Sequence, residues 1–247
     1  MKKRGSHVGM ILSFVIFITF IVFLYGVMKP TLNTGQDKKS LIGYIETQMI
    51  KNVTSNLTTI SVQITENKNP NSDCIYLNDF FSTVTTYVPS PLIIVKNETG
   101  NIQEVYHEYP NSIGSLVVNR KIKNNIFFKV YYSSQFNGLS KTTIPCQKVN
   151  TNDYTIGSIT LDKYIFEKMV LKFNQSYTDD YEQLKNDLKI PPGSEFEFIF
   201  KKADGGLIEP NNDERIKPDQ VYVEETPIQY MDNQANVQSG FISIKVW

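Results

Sequence analysis

The 247-residue sequence holds only two cysteines, two histidines and one tryptophan. His7 and His107 stand far apart with no cysteine close to either, so no Cys/His cluster of zinc-binding spacing exists. A nucleophile elbow, a phosphate-binding glycine loop and an EF-hand loop are also missing. Basic and acidic residues balance at 25 each, which excludes a basic field for nucleic acid. There is no internal repeat and no low-complexity tract. These absences predict a protein that is not an enzyme and uses no cofactor and no metal. Charge is the most unevenly missing property. No acidic residue precedes Asp37, and no charge of either sign lies between Met10 and Met28.

That uncharged stretch reads MILSFVIFITFIVFLYGVM. As a helix it spans about 28 Å, close to the ~30 Å hydrocarbon core of a bilayer. Lys2, Lys3 and Arg4 precede it, so the positive-inside rule keeps the N-terminus cytoplasmic and exports the rest. A cleaved secretory signal has an apolar region of about 7–15 residues and ends in a small-x-small site. The run here is longer, and Gly26 to Pro30 offers no such site. The expectation is an uncleaved or pilin-type anchor over residues 1–30, in the cell membrane, with the C-terminal part extracellular.

Residues 31–247 carry 21 basic and 25 acidic side chains, a mildly acidic net charge of −4. They are rich in Thr, Tyr, Phe, Ile and Val, which favour strands. Cys74 and Cys146 both fall on the exported side, where an even count suggests one disulfide. Such a bridge closes a loop of about 73 residues and stabilises by about 4 kcal/mol. Two buried free thiols are the alternative. Asn52, Asn56, Asn97 and Asn174 begin N-glycosylation sequons. Their use depends on exposure and on a host with the machinery.

After the apolar run, Pro30 is expected to kink or interrupt the helix. Leu41, Ile42, Ile45, Met49 and Val53 then recur at helical spacing and form an amphipathic stripe over a linker helix, residues 31–56. Asn52 would fall inside that stripe, so either the helix ends before it or its sequon stays bare. From Leu57 the period changes to two. Strands are expected at 57–65, 92–95, 102–107, 115–121, 125–133 and 154–161. Helices follow at 162–173 and 178–188, the second capped by Thr178 or Asp179. Strands at 195–201, 221–230 and 240–247 close the chain. The fold class is α+β: an N-terminal transmembrane helix, a helical stalk and a predominantly antiparallel β head at 57–247. A sub-domain break is expected near 150–190.

Three acidic clusters have ordinary explanations. Asp204-Gly-Gly lacks the spaced carboxylates of a calcium loop and reads as a hairpin turn. Asp179, Asp180 and Glu182 sit where a helix dipole favours acids. Asn211 to Glu214 reads as a solvated loop.

Basic residues, a glycine, a long apolar helix, an amphipathic continuation and a β-rich head together resemble type IV pilin-like proteins of archaea. Lys2-Lys-Arg-Gly5 followed by Ser6 is similar to their class III signal peptide, which implies processing between Gly5 and Ser6. Ile190-Pro-Pro-Gly-Ser-Glu-Phe196 and Gly240 to Trp247 also look like membrane-anchored proteins of this kind. Met10 stands where pilins usually carry the glutamate that pairs with a neighbouring subunit. The expected role is structural or interaction work at the cell surface, pilin-like or pseudopilin-like. The partners implied are the lipid bilayer and other surface proteins met through the stalk. A stand-alone anchored ectodomain binding a surface partner or glycan is one alternative; a membrane-tethered enzyme is another. A filament subunit would turn the stripe towards neighbours, whereas a stand-alone ectodomain would pack it on its own sheet. The missing glutamate and Pro30 favour the second arrangement.

Overall fold

The computed structural model describes residues 6–84, 92–108, 114–120, 123–137, 140–141, 145–208 and 221–247. The chain begins with one 48-residue helix, α1 (Ser6–Val53). It runs unbroken past Pro30, contrary to the expected interruption. An interior proline costs a helix about 3 kcal/mol, a penalty that the long helical stretches on both sides can outweigh. The chain then passes directly into β1 (Thr54–Ile64), three residues before the change of period at Leu57.

The elements that follow are β2 (Cys74–Leu77), α2 (Phe80–Val84), β3 (Ile93–Asn97), β4 (Ile102–Glu108), β5 (Leu116–Asn119) and β6 (Phe127–Tyr132). Next come β7 (Ser140–Lys141), β8 (Gln147–Val149), β9 (Tyr154–Phe166), α3 (Glu167–Asp179) and α4 (Tyr181–Asp187). The chain closes with β10 (Phe196–Lys202), β11 (Tyr222–Met231) and β12 (Val237–Val246). The fold is α+β, with a mostly β head and few helices. Twelve strands form one sheet in the order β10-β12-β11-β9-β1-β6-β3-β4-β5-β2-β8, with β7 beside β4. Most pairs are antiparallel; β11–β9, β2–β8 and β4–β7 are parallel.

Residues 162–166 are strand, not the start of a helix. Tyr164, Ile165 and Phe166 are aromatic or β-branched, and β1 supplies a ladder in which Thr54 faces Ile165 and Leu57 faces Asp162. The helix starts only at Glu167. The second helix is capped by Asp180, which accepts from Gln183 N–H at 3.0 Å, rather than by Thr178 or Asp179. Both of those residues belong to the end of α3. The expected break at Pro89 to Pro91 lies outside the described residues.

The sheet has two principal cores rather than one. The first lies under α1, where Ile42, Ile45, Met49 and Val53 are buried against α3, α4 and β10–β12. Phe173, Tyr177, Phe196 and Phe198 contribute rings to it, in edge-on and stacked contacts. The second gathers the inward residues of β1, β2, β3, β5, β6 and β8 around Phe80 and Phe128. Strand β1 belongs to this second core, and β9 spans both, with Tyr154 in the second and Ile165 in the first. Among the described residues β11 ladders to β9 through two pairs, Tyr230 facing Ile165 and Met231 facing Phe166.

Cys74 and Cys146 form a disulfide with Cα atoms 4.5 Å apart. It ties the start of β2 to the residue before β8, inside the second core's half. Replacing both cysteines with alanine is expected to cost about 4 kcal/mol in chemical denaturation, and an unchanged midpoint would contradict that. The seat of α1 gives a second expectation. Ile45→Asp/Met49→Asp places two charges where the native side chains are fully buried. The full chain in detergent should lose more than about 4 kcal/mol, read as a drop in melting temperature. An unshifted transition would mean that this helix face does not hold the head together.

Candidate functional site

Two features have functional character: the exposed half of α1 and a buried polar cluster where the two halves of the sheet meet. Between Gly9 and Gly26 the helix is long and apolar enough to cross a membrane, with a mean hydropathy of 2.4, and none of that span is buried by the rest of the chain. Phe14, Phe17, Phe20, Phe23 and Tyr25 all stand more than half exposed. Further along, Ile42, Ile45, Met49 and Val53 are consumed inside the head, and Leu41 packs at the margin. At the foot of the head, Lys38 Nζ donates to Ser194 Oγ at 3.1 Å and to the Trp247 carbonyl at 3.0 Å.

The second feature has Lys96 at its centre. It lies on β3, on the face opposite the second core, and only 6% of it is exposed. Its ammonium donates to the Ala235 carbonyl at 2.7 Å and to Asn236 Oδ1 at 2.6 Å, both on the β11–β12 turn. The Tyr131 ring lies beneath it, with its centroid 5.4 Å from Nζ. Leu57, Met231 and Ala235 lie beside the contact and belong to a small apolar cluster with Phe136 and Phe166. An open groove of about 470 Å³ runs alongside, lined by Leu57, Tyr131, Asp162 and Tyr164. Burial lowers the Lys96 pKa, and the charge of Asp232 opposes that shift.

Asp232 organises the turn. Its Oδ1 accepts from the Gln234 and Asn236 backbone N–H groups at 2.8 Å each. Its Oδ2 accepts from Asn236 Nδ2 at 2.9 Å and from Gln238 Nε2 at 3.1 Å. Burial alone would push this carboxyl up. The hydrogen bonds from Asn236, Gln238 and Gln234 outweigh it and hold Asp232 below the ordinary value of 3.8. Ala235 takes a left-handed conformation, φ 55°, to close the loop.

The residues singled out by the sequence are scattered. Asn52 and Asn56 are exposed. Asn52 lies within α1, which does not end before it, and outside the buried stripe; its amide donates to Gln48 O at 2.9 Å. Asn97 and Asn174 are buried. The Asn97 carboxamide oxygen is occupied by Thr99 Oγ1 and the Asn101 N–H, at 2.8 Å each. Gly5 lies outside the described residues; Ser6 begins α1. Asp204 accepts from Gly206 N–H at 2.8 Å, a turn contact. Residues 211–214 lie outside the described residues. Glu167, Asp204 and Asp232 share one depression. Among the described residues no group of three His, Cys, Asp or Glu side chains could hold a metal.

Sequence reasoning missed Lys96, Asp232 and Asn236. The available signal was a lone lysine in the apolar run Ile93-Ile-Val-Lys96, and an Asp-to-Asn loop of hairpin length at 232–236. No family model, curated protein or solved structure matches the chain.

Asp232 yields a pH-dependent prediction. Its pKa is lower folded than unfolded, so its contribution is full above the unfolded value and is lost as pH falls through the folded one. The stability gap between wild type and Asp232→Ala should be constant near neutrality and should close below about pH 4. Denaturation curves from pH 7 to pH 2 check it; a gap that widens on acidification would contradict the assignment.

Proposed function

We propose that this chain is a single-pass membrane-anchored surface protein with a structural or interaction role, its N-terminus cytoplasmic and its head outside. The observation that carries the reading is the change of character along α1. Its first half is apolar on every side and touches nothing else in the chain, while the second half is apolar on one face and seated in the head. An apolar surface of that size is unstable in water and calls for lipid or protein around it. The basic residues Lys2, Lys3 and Arg4 support the orientation.

The organisation is pilin-like: an apolar helix, its amphipathic continuation and a β-rich head. The seating of Ile42, Ile45, Met49 and Val53 on their own sheet favours a stand-alone anchored ectodomain over a subunit that assembles through that face. Assembly with other subunits would run through Gly9–Gly26 instead. A surface partner or glycan is the ligand class of the stand-alone reading.

Protease added to intact cells should digest the head and leave a short membrane-protected fragment. A head resistant in intact cells but cut after permeabilisation would overturn the topology. Mass spectrometry of the native N-terminus separates the remaining cases. A chain beginning at Ser6 supports pilin-type processing, and an intact Met1 supports a plain anchor.

A further inference from the structure

Lys96 and Asn236 are 140 positions apart in sequence, yet Lys96 Nζ lies 2.6 Å from Asn236 Oδ1. We propose that these two side chains are the partners of a self-formed amide cross-link, in which Lys96 Nζ bonds to Asn236 Cγ and ammonia leaves. Three features of the site support it independently of one another.

The first is proximity. The carboxamide carbon is one bond beyond the oxygen that Lys96 already contacts, and the Ala235 carbonyl, 2.7 Å from Nζ, fixes the amine beside it. Holding nucleophile and electrophile together in this way replaces a bimolecular encounter by an intramolecular one. The second is a carboxylate at the leaving group: Asn236 Nδ2 donates to Asp232 Oδ2 at 2.9 Å. The third is the burial of Lys96, 6% exposed, with Leu57, Met231 and Ala235 beside it. Surroundings of this kind disfavour the ammonium and favour the neutral, nucleophilic amine.

The reaction balances without any external reagent. The Lys96 ammonium first releases one proton to water in the adjoining groove, and the neutral amine then gives its lone pair to Asn236 Cγ, forming the Nζ–Cγ bond. In the adduct Nζ and Nδ2 share the same carbon, which brings the Nζ proton to the Asp232 carboxylate already bonded to Nδ2; Asp232 carries one proton from Nζ to Nδ2. The Cγ–Nδ2 bond then breaks and the nitrogen departs as ammonia, which the adjoining groove can release to solvent. The products are a secondary amide and one ammonia; nothing is oxidised or reduced. The bond would tie β3, in the second core's half, to the tip of the β11–β12 hairpin. The two halves of the sheet would then be joined covalently beside the short β9–β11 contact.

Mass spectrometry of the full-length protein, extracted in detergent, reduced and denatured, tests it. The wild-type mass is expected to be lighter than that of Lys96→Arg, corrected for the substitution, by about 17 Da, one ammonia. Tryptic digestion should give a branched peptide joining the segments around Lys96 and Asn236, with no cleavage after Lys96. Asn236→Ala should lack the branch. Cleavage after Lys96 in wild type, at full mass, overturns the proposal and leaves a hydrogen-bonded lysine. Ammonia loss confined to Asn236 without a branched peptide is succinimide formation and overturns it equally. Asp232→Asn is expected to keep its ammonia; a fully branched Asp232→Asn chain would overturn the role given to Asp232.

Discussion

The seating of Ile42, Ile45, Met49 and Val53 against β10–β12 is the interaction on which the other features depend. Full burial of a large apolar side chain contributes about 1.5–3 kcal/mol, so this stripe supplies a substantial share of the first core. It also decides what α1 can do. Among the described residues nothing covers the apolar span Gly9–Gly26, while the second half of the helix completes a protein core. A helix of this kind cannot leave the head without opening the core. The exposed apolar half of α1 and the folded head are therefore one structural unit.

Among the described residues three cations are buried, and two of them, Lys96 and Arg120, are held by neutral oxygens. Arg120 donates to Asn69 Oδ1, Pro70 O and Ser72 O at 2.6 Å each, and to Asn125 O at 2.9 Å. Burial lowers its pKa, while Asp73 acts in the opposite direction. Carbonyl acceptors impose direction, because each points along its own lone pairs. Arg120 thereby fixes the loop that delivers Cys74 to β2, and Lys96 fixes the β11–β12 turn. By contrast, Lys185 is held by a carboxylate, Glu195, at 2.5 Å beside the Tyr181 ring. That ion pair lies at the junction of α4 and β10, close to where Lys38 meets the C-terminus.

Period and turn chemistry made much of this architecture legible. The hairpin of β3 and β4, the strand β6 and the final three strands were readable from alternation and from the turns between them. The stripe on α1 was readable from its 3.6-residue period. Other elements depended on information that is not local. The four residues of β2 and three of β8 are too short to show a period, and their pairing with each other and with β5 sets them. Asp162 to Phe166 has the composition of either state, and the ladder to β1 decides it. Pro30 shows the converse, a strong local signal outweighed by the helix on both sides. The Lys96 cluster joins residues from two distant hairpins, and only the lysine's apolar neighbours hinted at it.

The junction between α1 and β1 contains no linker. Val53 ends the helix, Thr54 begins the strand, and Thr54 Oγ1 donates back to Ile50 O at 2.6 Å. Strand β1 is laddered on both edges, to β6 on one and β9 on the other. Mechanical tension applied along α1 therefore has no slack to take up before it reaches the head. It is divided between the seated helix face and a central strand whose two ladders share the load, rather than falling on a terminal strand that could be peeled away bond by bond. A pull along α1 would accordingly meet the most cross-braced part of the fold first.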